Sequence, residues 1–156
     1  MKDLQIQSDQ AMIKLGVLLG ERFQPGDLLF LSGDLGAGKT TLVKGIAKGM
    51  GIKSDITSPT FQLLKTYHGK LQLNHLDLYR LGEEPEIEIL ELEELATEGV
   101  TVIEWGDFIK DRIFNEYLEI RIGFCEAITS RSVTLCPSGI RYEQLIGELN
   151  NVDFKS

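Results

Sequence analysis

Ten residues, SGDLGAGKTT from Ser32 to Thr41, pack three glycines, a lysine and two threonines directly behind the apolar run DLLFL. Gly33, four intervening residues, then Gly38, Lys39 and Thr40 form the Walker A pattern, and it falls between a candidate strand and a candidate helix. These residue types suit a triphosphate, whose negative charges need donors from many directions. A backbone nearly free of side chains can wrap such a group with its N–H groups turned inward, and Gly33, Gly36, Ala37 and Gly38 permit that wrap. Lys39 is expected to reach the β- and γ-phosphates, the Thr40 hydroxyl to bind Mg²⁺ and Thr41 to contact the α-phosphate, with the helix dipole adding positive potential. ATP and Mg²⁺ are the expected ligands. No Asn-Lys-x-Asp stretch signals guanine, so adenine is the default base.

Hydrolysis needs a metal-side acid, a water-orienting group and a sensor of the γ-phosphate. Glu104 ends the β-branched run VTVIE, where its carboxylate can emerge at the same sheet edge as the glycine loop. Asp77 in NHLDLYR is the second candidate for metal or water, and Thr60 in TSPTF lies where switch loops lie. His68 and His75 read as a hairpin surface residue and a strand residue, with no nucleophile or carboxylate placed to complete a triad.

The elements that must position these residues alternate in type. SDQAMIKLGVLLGERF, capped at Ser8, sets Met12, Leu15, Leu18 and Leu19 on one helical face. LLFL reads as a buried strand and TTLVKGIAKGMG as a helix stopped by Gly51. QLLKTY and LQLNHLDLY form a hairpin turning at Gly69. GEEPEIEILELEELATEG predicts one or two short solvated helices, or an acidic contact surface for a basic partner. VTVIEW is a second core strand, YLEIRIGF and RSVTLCP are the last two strands, and YEQLIGELN is a C-terminal helix before a tail, NVDFKS, expected to fray. The pattern predicts one α/β domain over residues 1–156, a three-layer fold with helices flanking a mostly parallel sheet and an antiparallel hairpin.

Charge and composition narrow the function classes. Sixteen Lys and Arg against twenty-four Asp and Glu give a net charge of −8, which argues against a large phosphate-backbone interface. MKDLQIQSDQ has no apolar targeting core and no run reaches membrane-spanning length, so a cytoplasmic protein is expected. Cys125 and Cys136 lack metal-ligand spacing and read as small hydrophobes.

GDLGAGKTT, SPTF, HLDLYRL and VIEW, in that order and at these separations, resemble the TsaE (YjeE) family of bacterial ATPases from roughly Leu18 to Leu135. The resemblance implies an ATPase needed for threonylcarbamoyladenosine at position 37 of tRNA, acting through the TsaB and TsaD proteins and touching tRNA only through them. By position it makes Lys39 the phosphate lysine, Thr40 a magnesium ligand and Glu104 the second metal-side acid. It makes Asp77 and Thr60 functional candidates, Trp105 part of the nucleotide or partner-coupled site, and Arg131 a late basic residue that could approach phosphate. The family usually has proline after the Glu-Trp pair, where this chain has Gly106. Two other functions fit the same motifs: a nucleotide-gated binding module with little hydrolysis, and a small-molecule kinase, for which the chain lacks an Arg-rich lid.

Overall fold

The apolar run behind the glycine loop becomes the middle of the sheet. The computed structural model describes residues 1–34, 36–57, 64–78, 89–106, 114–152 and 154. Among them lie β1 (Lys2–Ile6), α1 (Asp9–Arg22), β2 (Leu28–Ser32), α2 (Lys39–Gly49), β3 (Leu64–His68), β4 (Gln72–Asp77), α3 (Ile89–Thr97), β5 (Val100–Glu104), β6 (Tyr117–Phe124), β7 (Arg131–Ser138) and α4 (Ile140–Gly147). The strand order is β1-β7-β6-β2-β5-β4-β3. The four central strands, β6, β2, β5 and β4, run parallel, and antiparallel strands close both edges, β3 on one side and β7 with β1 on the other.

Period-two alternation in β2 sends Leu29 and Leu31 into one core and Leu28 and Phe30 into another. The first core lies against α1, α2 and α4, and the second takes Leu92 of α3, so helices cover both faces. Ser8 caps α1, its hydroxyl accepting from the Ala11 N–H at 3.1 Å. Helices α1 and α2 meet at backbone distance through two glycines each, spaced four apart. A Cβ on Gly16 would stand 2.5 Å from the Leu42 carbonyl oxygen, and one on Gly20 2.2 Å from that of Ile46. From the other side, a Cβ on Gly45 would stand 2.4 Å from the Ile13 oxygen and one on Gly49 2.3 Å from that of Val17.

One strand was not foreseen, and two expectations need correction. MKDLQI forms β1, paired antiparallel with β7 from Lys2↔Leu135 to Ile6↔Arg131, a strand too short and polar to be visible without its partner. Of the tail expected to fray, Phe154 is buried in the main core and Val152 packs against it, while residues 153, 155 and 156 lie outside the described ones. Cys125 and Cys136 are half-buried free thiols rather than core residues. The acidic segment yields one described helix, α3, with Leu92 and Ala96 buried and Glu93 and Glu94 exposed; residues 79–88 lie outside the described ones.

At the start of β2, a polar clasp ties α4 to the sheet. The Asp27 carboxylate accepts from Arg141 Nη2 at 2.8 Å and Nε at 3.3 Å and from the Gln24 N–H at 2.7 Å. The hydrogen bond to Asp27 pushes the Arg141 guanidinium further up from its usual value. The Leu28 N–H donates to the buried Tyr142 hydroxyl at 2.9 Å. Burial pushes the Tyr142 hydroxyl up to about 12 from its ordinary 10.0, the Leu28 N–H opposing that shift. A folded-state value above the unfolded one contributes stability that is fully present below pH 10 and is lost as pH rises toward about 12. Urea unfolding across that window is expected to show a steeper loss for the wild type than for Tyr142→Phe, and equal slopes would refute the assignment. At neutral pH the variant is expected to be ~1–3 kcal/mol less stable, its Leu28 N–H left buried without an acceptor.

Candidate functional site

The glycine loop leaves the C-terminal end of β2 and enters α2 as a tight turn in which the Ala37 N–H donates to the Asp34 carbonyl at 3.0 Å. Gly36 and Gly38 hold φ values of +79° and +116°, the left-handed region that side chains disfavour. Gly33 is packed against β6, where a Cβ would come within 2.8 Å of the Ile122 carbonyl oxygen. Gly38 is the N-cap of α2 and offers no side-chain cap, and the first turn holds no acidic residue. The N–H groups opening α2, beside the half-buried Thr40 and Thr41, therefore face the loop with the positive end of the helix dipole and no acidic residue in the helix's own first turn. A phosphate chain fits this cradle.

Arg131 opens β7 and braces the loop. Its Nε donates to the Ala37 carbonyl at 3.0 Å and its Nη2 to that of Gly36 at 3.5 Å. Nη1 donates to the carbonyls of Ile128 at 2.6 Å and Ser130 at 2.8 Å, and the guanidinium lies 4.9 Å from the Phe124 ring centroid. The geometry gives Arg131 a shaping role through loop carbonyls.

Lys39 and Glu104 converge across the sheet edge. Lys39 Nζ lies 3.6 Å from Glu104 Oε1 and 4.5 Å from the centroid of the Trp105 ring. Both charged residues are buried, at 9% and 3% exposure. A buried ion pair is a weak source of net stability, since desolvation consumes most of the Coulomb gain, so its placement at the mouth of a glycine loop points to chemistry. Trp105 is the described non-glycine residue with positive φ, +59°, a conformation costing on the order of 1 kcal/mol or more. That turn lets an indole 41% exposed lie over the lysine. Gly106 follows, and a Cβ there would meet Ile103 Cγ2 at 2.7 Å and Phe30 Cε1 at 2.9 Å, so the smallest residue is what the second core admits at this point.

Asp77 is brought to the same place. It is the Cα partner of Glu104 in the β4–β5 register, and the Leu78 N–H extends the pairing to the Glu104 carbonyl at 3.0 Å. Thr60 and its SPTF loop lie outside the described residues. Sequence reasoning missed His75, which is wholly buried with Nε2 2.6 Å from Glu104 Oε2. Its signal was the two-residue spacing to Asp77, which on a strand puts both on the face that carries Glu104. Among the described residues no three His, Cys, Asp or Glu side chains gather as a metal cage. No described helix is long and apolar enough to cross a membrane.

Comparison with known proteins identifies the family. The family model described as "Threonylcarbamoyl adenosine biosynthesis protein TsaE" matches residues 6–133, which hold the loop, β4, β5 and Arg131. The chain is 44% identical over 135 residues to the tRNA threonylcarbamoyladenosine biosynthesis protein TsaE of Bacillus subtilis, covering 83% of this chain and 82% of that relative. It is 34% identical over 151 residues to the protein of that name in Rickettsia conorii, covering 96% and 84%. The crystal structure of Bacillus subtilis YdiB superposes with a TM-score of 0.77 at 34% identity, covering 95% of this chain and 93% of that one. A family match over most of the length, with relatives and a solved structure that each cover more than four fifths of the chain, establishes that the chain belongs to the TsaE family.

Proposed function

We propose that this chain is a Mg²⁺-dependent ATPase of tRNA threonylcarbamoyladenosine biosynthesis, acting on a TsaB–TsaD pair to sustain repeated turnover. The carrying observation is the buried Lys39–Glu104 pair at the mouth of a glycine loop whose helix end is uncapped. Membership of the family, and relatives named for this pathway, support the pathway; tRNA would be reached through the partners and the work done in the cytoplasm. A main core that runs from Ile6 to Phe154 supports one domain acting as a unit.

The backbone of Gly33, Gly36, Ala37 and Gly38, with Lys39, Thr40 and Thr41, would hold the phosphates. Thr40 and Glu104 would hold Mg²⁺, a hard cation that accepts a few protein oxygens and completes its shell with phosphate and water. When bound, the ion neutralises charge on the phosphates and polarises the bond to be cleaved. Lys39 supplies fixed positive charge, and its buried setting removes competing water. Asp77, beside Glu104 in the β4–β5 register, would orient the attacking water, and Trp105 would cover the lysine from the solvent side. Arg131 keeps the loop carbonyls turned away from the anion they would otherwise repel.

The test is multiple-turnover threonylcarbamoylation of tRNA by purified TsaB and TsaD with the activated intermediate supplied. With this protein and ATP the pair is expected to complete many cycles, and without either to stop near one. Equal yields with and without the protein would overturn the proposal.

A further inference from the structure

We propose that His75 is a positioning residue for Glu104, holding one carboxylate oxygen from inside the sheet so that the other faces Lys39; this rests on the ATPase reading above. Glu104 has two oxygens with separate tasks. Oε2 meets His75 Nε2 at 2.6 Å and Oε1 lies 3.6 Å from Lys39 Nζ. A carboxylate accepts, so the imidazole hydrogen shared between them sits on Nε2. His75 Nδ1 is buried and has no hydrogen-bond partner among the described residues.

That orphaned nitrogen argues against a packing role. A buried polar atom left unpaired costs folding free energy, and the neighbouring buried strand positions Leu73 and Leu76 show that β4 accepts apolar side chains. The imidazole is therefore kept for its other nitrogen. A glutamate at a strand end has three rotatable bonds, and a single partner at the mouth would leave its outward oxygen free to swing. With Oε2 anchored on a wholly buried ring, the orientation of Oε1 is set before any ligand arrives. Asp77, two residues along the same strand face, is fixed by the same strand, so His75 also couples the two acids to one rigid element.

The decisive pair of variants is His75→Gln and His75→Asn, assayed for ATP hydrolysis in the full chain with TsaB and TsaD. A glutamine amide nitrogen reaches the place of Nε2, whereas an asparagine amide reaches only that of Nδ1. His75→Asn is expected to lower kcat by ~10–100-fold with KM within about threefold of wild type, and His75→Gln to recover most of that loss. Thermal unfolding of both variants accompanies the kinetics, since two buried amides of similar polarity burden the fold alike. Equal kcat in the two variants, or a loss that follows melting temperature rather than the place of the amide, would overturn the proposal. Lys39→Ala in the same assay separates the two levels of inference. Wild-type hydrolysis no faster than that of Lys39→Ala would remove the ATPase reading and this proposal together; an active wild type with an equally active His75→Asn would remove this proposal alone.

Discussion

Replacing Lys39 with methionine is expected to lower ATP turnover in the presence of TsaB and TsaD by ~10²–10³-fold, the scale of losing one preorganised donor to a developing negative charge. Methionine keeps the length and apolar stem of the side chain, so what goes is the ammonium 3.6 Å from Glu104 and 4.5 Å from the Trp105 ring centroid. Affinity for the nucleotide should fall as well, because the same charge serves bound and reacting phosphates. The fold should suffer far less. Breaking a buried ion pair typically costs ~3–5 kcal/mol, and here Glu104 keeps its hydrogen bond to His75, so the loss should fall below that range. Steady-state hydrolysis beside a thermal melt checks both halves. A folded variant that retains half the wild-type rate would remove Lys39 from the mechanism.

The second large effect is on folding. Gly20→Ala adds one methyl group to α1, and alanine favours helix over glycine by about 1 kcal/mol, so propensity alone predicts a more stable protein. The added Cβ would stand 2.2 Å from the Ile46 carbonyl oxygen, and both atoms belong to backbone that can move only if two helices part. Overpacking costs ~1–3 kcal/mol where side chains can adjust, and here none can, so a net loss of about 3 kcal/mol or more is expected. Gly147→Ala is the control: a helical glycine of α4 with open space where its Cβ would go. That variant should stay within about 1 kcal/mol of wild type on the stabilising side. Chemical unfolding of the two decides the matter, and a stabilised Gly20→Ala would mean that α1 and α2 are not held at this separation.

The strand, loop and helix around SGDLGAGKTT were legible because each obeys local rules: an apolar run, glycines where φ turns positive, and helical spacing through Leu42 and Ile46. Glu104 and Asp77 were legible as strand-end acids, and the sheet puts them side by side. For His75 the spacing to Asp77 gave the strand face, but its partner Glu104 depends on register between two strands separated by more than twenty residues, which that spacing does not encode. The contacts of Arg131 to the loop carbonyls were not legible, since only the fold shows that those carbonyls face β7. β1 was missed for a similar reason: KDLQI has a marginal pattern and becomes a strand because β7 offers it an edge. The close approach of α1 and α2 through their glycines has no local signature, since it depends on which carbonyls of the other helix face them.

That paired-glycine seam also decides which parts of the molecule can serve as moving parts. Rolling α2 about its axis would bring Leu42 or Ile46 to a line where α1 leaves room for hydrogen atoms alone, so the two helices behave as one solid piece. The lysine and the loop N-cap sit at the tip of that piece and inherit its stiffness. A ligand seated in a cradle bolted to its frame would act on what borders it: the strand-end acids, the tryptophan held at an unfavourable φ, and the carbonyls braced by Arg131. With the frame held still, any displacement that nucleotide binding produced would fall to that rim.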